Sequence, residues 1–173
     1  IGIRLKYLLQ IEEIDVKVIW QVRDGRGVSC AYKNPSEFAD ASDPSLRGGG
    51  AGKTQEQSRD VELGCHEWIR CNQEAEAIIE TLKPDQWIKV HYEDICNQTE
   101  NTLERLFTFI GLDPNKKRMD FKSVDHHVIG NGMRLDSSEK IVLDDRWRTA
   151  LSKEDLSIFE DIAGTYNRSL GYH

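Results

Sequence analysis

Two short stretches constrain this chain more than anything else in it: VKVIWQV at 16–22 and WIKVH at 87–91. Both are rich in β-branched and aromatic residues and apolar enough to be buried strands of a parallel sheet. The segment between them holds a helical pattern over about 60–82, with Trp68, Cys71, Ala75, Ile78 and Leu82 on one face. Pro84 and Asp85 then turn the chain into the second strand. A strand, a helical crossover and a second strand make a parallel pair, which brings the residues just past each strand, Arg23 and Tyr92, to the same edge. A short helix is predicted over 3–11. Another is predicted where Leu103, Leu106, Phe107 and Ile110 keep helical spacing before Gly111. In the last helix Ser152 is the cap, Asp155 completes a capping box, and Leu156, Phe159, Ala163, Tyr166 and Leu170 form the buried stripe. The alternation of strands and helices predicts an α/β domain with a parallel sheet.

The length of 173 residues suits one domain with one sizeable core, and 38% hydrophobic with 31% charged residues is a globular composition. No apolar run approaches the roughly 18 residues of a membrane span, so a membrane link is expected only through a segment outside this chain. There is no signal-peptide pattern and no initiator Met; the opening IGIRLKYLL reads as cut from something longer. The net charge of −7 argues against a nucleic-acid partner. Yet residues 1–34 carry six Lys/Arg against four Asp/Glu, a local basic balance suited to a small anionic ligand. Cys30, Cys65, Cys71 and Cys96 lack metal-binding spacing, so no metal is expected; they read as buried thiols in preference to one or two disulfides. The sequons Asn97-Gln-Thr and Asn167-Arg-Ser point weakly to a secretory location.

RGGGAGKT, 47–54, invites reading as a phosphate loop. A Walker-type loop needs Gly where this chain has Arg47, and it needs a strand before it and a helix after it. Residues 34–58 instead lack periodicity and are rich in Gly, Ser, Asp and Pro, which predicts a flexible loop. The better anion site is VIWQVRDGRGVSCAY, 18–32. A buried strand delivers Arg23 to its carboxyl edge, Gly25 and Gly27 allow a sharp turn, and the following helix is expected to face an anion with its amides. Arg23 and Arg26 are bidentate donors suited to phosphate. The residues alone leave a structural Arg23–Asp24 ion pair as an equal alternative.

The Arg-Asp-Gly-Arg turn after a hydrophobic strand resembles the 3′-phosphate signature of the sulfotransferases that use 3′-phosphoadenosine 5′-phosphosulfate (PAPS). VHYEDI, 90–95, is similar to the family's strand-end Tyr-Glu-Asp segment, and LERLFTFIGLD, 103–113, to the helix after it. HVIGNGMRL, 127–135, resembles a His-x-x-Gly-Asn-x-x-Arg stretch of the carbohydrate sulfotransferases; DDRWRTALS, 144–152, and LGY, 170–172, resemble the C-terminal Trp segment and terminal helix. The resemblance implies a P-loop-NTPase-like three-layer fold, a central parallel sheet flanked by helices. On that reading 1–173 is a partial sulfotransferase domain, with the N-terminal strand and the 5′-phosphosulfate loop expected upstream of Ile1. It implies sulfuryl transfer from PAPS to a hydroxyl or amine, with a carbohydrate or glycoprotein acceptor, and with tyrosine in a protein as the alternative suggested by RDGRG. A Golgi lumen location follows if the source is eukaryotic, a cytoplasmic one otherwise.

By the same resemblance Arg23 holds the 3′-phosphate, Tyr92 lies against the adenine, and Asn131, Arg134 and Lys140 line the nucleotide pocket. The family's phosphate-binding Ser stands eight residues after the strand-end Arg; here that position is Ala31, and the nearest hydroxyl is Ser29. His126 and His127 read as loop histidines and not as catalytic, so the catalytic base stays unassigned. Trp68 and Trp147 read as core residues. Two rivals stand beside this reading: a P-loop kinase-like phosphotransferase, and a non-catalytic nucleotide-binding module on a degenerate sulfotransferase fold. The oligomeric state is open.

Overall fold

The computed structural model describes residues 2–33, 60–116 and 141–173. In chain order the elements are α1 (Gly2–Leu8), β1 (Val18–Val22), α2 (Gly25–Lys33), α3 (Val61–Ile79), β2 (Trp87–His91), α4 (Tyr92–Asn97) and α5 (Thr99–Phe109). They are followed by a 3₁₀ turn (Pro114–Lys116), α6 (Trp147–Ala150), α7 (Lys153–Phe159), a π-helical turn (Glu160–Gly164) and α8 (Thr165–Ser169). The chain divides into two compact units: Ile1–Arg23 with Arg70–Lys117, and Asp24–Ile69 with Arg118–His173.

The first unit is organised by the sheet. β1 and β2 run parallel, in register from Val18↔Trp87 to Val22↔His91. Val22 and Val90 are its innermost strand residues, at 1% and 0% exposure. Lys17 Nζ donates to the Asp85 carbonyl at 2.9 Å, tying the entry of β1 to the turn before β2. Trp20 Nε1 donates to Asn72 Oδ1 at 3.3 Å, and Asn72 is buried. That bond corrects the expected stripe of α3: Asn72 faces inward and Cys71 is exposed. A polar side chain is stable there because it accepts from the half-buried Trp20 indole N–H. α5 stops before Gly111, whose φ of +76° is the left-handed conformation that suits glycine. Its apolar stripe is only half-buried and Ile110 is exposed, whereas Thr102 is buried and donates its hydroxyl to the Asp94 carbonyl at 3.1 Å.

The second unit is built on aromatic packing. The Trp68 ring meets Phe159, with centroids 6.3 Å apart, and Tyr166 edge-on at 5.5 Å. Cys65, Ala163 and Leu170 complete the enclosed face. Gly64 brings α3 close to α2, since a Cβ there would stand 2.8 Å from the Ser29 Cα. The capping box forms as expected: Ser152 Oγ accepts from the Asp155 N–H at 3.1 Å, and the Asp155 carboxylate accepts from the Ser152 N–H at 2.7 Å. Lys33, in the last turn of α2, pairs with the same carboxylate. Of the four cysteine thiols, Cys30 and Cys65 are buried as expected and Cys71 is not. Among the described residues no helix is long and apolar enough to cross a membrane.

Candidate functional site

The strand register ends at Val22↔His91, so the next residues of the two parallel strands, Arg23 and Tyr92, emerge side by side at the carboxyl edge. Open α/β sheets place ligands at this edge. The Arg23 guanidinium carbon lies 4.6 Å from the Tyr92 ring centroid. A cation–π contact of this kind holds the planar fork of donors in one orientation. β2 runs directly into α4: His91 has extended dihedrals (φ −87°, ψ 136°) and Tyr92 is the first helical residue. No side chain caps this helix; Glu93 and Asp94 in its first turn complement the positive end of its dipole.

The turn after Arg23 differs from the expectation. Asp24 is buried and chelated by Arg26, whose Nε lies 2.9 and 3.1 Å from Oδ1 and Oδ2 and whose Nη2 lies 2.7 Å from Oδ2. The Arg26 guanidinium also stacks on Trp147 at 4.2 Å, and Arg148 lies 4.5 Å from the same indole. Arg26 is therefore a structural partner of Asp24 and not a free phosphate donor. The first-turn amides of α2 are also occupied. Gly25 N–H donates to Asn167 Oδ1 at 3.0 Å, Arg26 N–H to Asp24 Oδ1 at 3.0 Å, and Gly27 N–H to the Asp24 carbonyl at 3.0 Å. The expectation that these amides face an anion is not met, because buried donors must be satisfied locally and Asp24 and Asn167 do this.

Ser29 is fully buried, with Oγ 3.5 Å from Cys65 Sγ. A hydroxyl enclosed between α2 and α3 has no path to an incoming phosphate, and Ser29 leaves the candidate set. Burial pushes the Cys65 thiol above its ordinary pKa, with the Ser29 hydrogen bond opposing the shift, so this pair is inert packing. Asn131, Arg134 and Lys140 lie outside the described residues, as do RGGGAGKT, His126 and His127. The two sequons differ: Asn97 is exposed, whereas Asn167 is enclosed and its amide is engaged. Trp68 is core, as expected; Trp147 is half-buried between arginines. Asn167 is the residue that sequence reasoning missed. Its signal was a polar residue at i+4 from Ala163, on the apolar stripe of the terminal helix.

Two parallel strands with a helical crossover between them describe an α/β fold, and a solved structure resembles it in fold. The structure titled "Sulfotransferase Domain from the Curacin Biosynthetic Pathway" matches with a TM-score of 0.54 at 18% sequence identity, over 91% of this chain and 54% of that one. At that identity the likeness carries the fold, and the chain spans about half the length of that neighbour. Residues 7–116, which include both strands, Arg23 and Tyr92, match the model of the sulfotransferase family, and the chain belongs to that family.

Proposed function

We propose that this chain is the nucleotide-holding part of a sulfotransferase that moves a sulfuryl group from PAPS to a hydroxyl of a carbohydrate acceptor. The observation that carries the reading is the Arg23–Tyr92 stack at the carboxyl edge of β1 and β2. In the proposed complex Arg23 grips the 3′-phosphate through a bidentate, charge-assisted contact, and Tyr92 offers its ring to the adenine. Sulfuryl transfer breaks the bond between sulfur and the 5′-phosphate oxygen, forms one to the acceptor oxygen and releases the acceptor proton. The protein's part in such a transfer is to orient the donor and to stabilise charge on the leaving 5′-phosphate; Arg23, at the 3′-phosphate, serves the first of these. The carbohydrate acceptor rests on the resemblance of HVIGNGMRL to the carbohydrate branch.

Titration calorimetry tests the donor class. The chain is expected to bind adenosine 3′,5′-bisphosphate without Mg²⁺ and more tightly than adenosine 5′-monophosphate. Binding of ATP that requires Mg²⁺, with no preference for a 3′-phosphate, would favour the kinase-like rival.

A further inference from the structure

Asn167 is 3% exposed and makes two bonds, one with each end of its carboxamide. Its Oδ1 accepts from the Gly25 N–H at 3.0 Å, and its Nδ2 donates to Asp24 Oδ1 at 3.4 Å. The same Asp24 oxygen receives the Arg26 N–H and Nε. One carboxamide thus joins the backbone of the turn to its buried carboxylate. The turn has little freedom elsewhere: a Cβ on Gly25 would stand 2.9 Å from Trp68 Cε3 and 3.0 Å from the Phe159 ring. Asp24 is the next residue after Arg23 in the chain, so the turn that Asn167 braces begins one peptide bond beyond Arg23.

We propose that Asn167 is a positioning residue for 3′-phosphate recognition, acting through the Asp24–Gly25–Arg26 turn. The proposal rests on the reading of Arg23 above and deepens it. An acceptor for the Gly25 N–H and a donor for Asp24 are needed at once. Alanine supplies neither. Aspartate supplies the acceptor but sets a like charge against Asp24. Without the carboxamide, the buried Gly25 N–H loses its partner and the turn relaxes to find another.

The test measures the 3′-phosphate increment, the ratio of affinities for adenosine 3′,5′-bisphosphate and adenosine 5′-monophosphate, in Asn167→Ala, Asn167→Asp and Asn167→Ser. Leu170→Ala serves as a control that weakens the same C-terminal segment at a buried apolar position. In Asn167→Ala and Asn167→Asp the increment is expected to fall about three- to tenfold while monophosphate affinity stays within about twofold. Asn167→Ser, which keeps a small donor and acceptor, is expected to lose less. Leu170→Ala is expected to melt earlier and keep its increment. An unchanged increment in Asn167→Ala, or an equal fall in Leu170→Ala, overturns the proposal, as does failure of all three Asn167 variants to fold. Arg23→Ala separates the layers. If it abolishes the increment and Asn167→Ala does not, only this proposal fails; if it leaves the increment intact, the reading of Arg23 fails and this proposal fails with it.

Discussion

Gly25→Ala probes the packing under the turn that follows Arg23. The new methyl would sit 2.9 Å from Trp68 Cε3 and 3.0 Å from Phe159 Cε2 and Cζ, well inside van der Waals contact. Neither ring can move aside cheaply, since Trp68 and Phe159 are 4% and 2% exposed and pack on each other. Overpacking of this kind costs about 1–3 kcal/mol. Alanine recovers up to about 0.5–1 kcal/mol of backbone entropy, less at a helix's first position. The net expectation is a loss of about 1–2 kcal/mol, or roughly 3–6 °C in Tm for a chain of this size. Urea denaturation followed by far-ultraviolet circular dichroism reads it directly. A double-mutant cycle locates the cause: Phe159→Leu removes the ring that the methyl meets, so the two substitutions together should cost less than their sum by about 0.5 kcal/mol or more. Gly25→Ala at wild-type stability or above, or strict additivity with Phe159→Leu, would refute the packing argument.

Two further outcomes are expected. Asn72→Ala should destabilise by about 1–2 kcal/mol because it leaves the Trp20 indole N–H without the acceptor it has at 3.3 Å, whereas Cys71→Ala, on the exposed side of α3, should change stability by less than about 0.5 kcal/mol; chemical denaturation of both variants compares them. Asp155 supplies a pH dependence: burial acts to raise its pKa, but hydrogen bonds from Lys33 and Ser152 outweigh this and hold it below the ordinary carboxylate range. Its folded pKa is depressed, so its stabilisation is present above the unfolded value of about 3.9 and lost as pH falls through the folded value. The stability difference between wild type and Lys33→Met should therefore shrink as pH is lowered from 5 through 3; a constant difference over that range would show that the pair does not act through ionisation.

The parts of the fold visible in the sequence were those set by local pattern. WIKVH is β2 residue for residue, VKVIWQV contains β1, and Ser152 with Asp155 forms the capping box. The two strand ends follow from parallel pairing, which is why Arg23 and Tyr92 emerge together. What could not be read was which polar groups the core would enclose. Hydrophobicity favours Cys71 over Asn72, but the Trp20 N–H needs an acceptor, and that need comes from a strand 52 positions earlier. Likewise RDGRG offers two arginines, of which the resemblance favours Arg23; the structure pairs Arg26 with Asp24 and Trp147 and stacks Arg23 on Tyr92. The α2 amides looked available to an anion until Asn167, 142 residues from Gly25, occupied the first of them. Ser29 has a hydroxyl in the right neighbourhood of sequence but on the face that meets α3.

The central claim is that Arg23 reads a 3′-phosphate. Titration of Arg23→Ala and Arg23→Lys with adenosine 3′,5′-bisphosphate and adenosine 5′-monophosphate tests it most directly, with circular dichroism confirming the fold. A bidentate charge-assisted contact contributes about 1.5–3 kcal/mol, so Arg23→Ala should weaken the bisphosphate about ten- to a hundredfold and leave the monophosphate nearly unchanged. Arg23→Lys should recover only part of the loss, because a point charge does not reproduce the planar fork. Equal weakening of both nucleotides would assign Arg23 to the structure of the strand end and contradict the account.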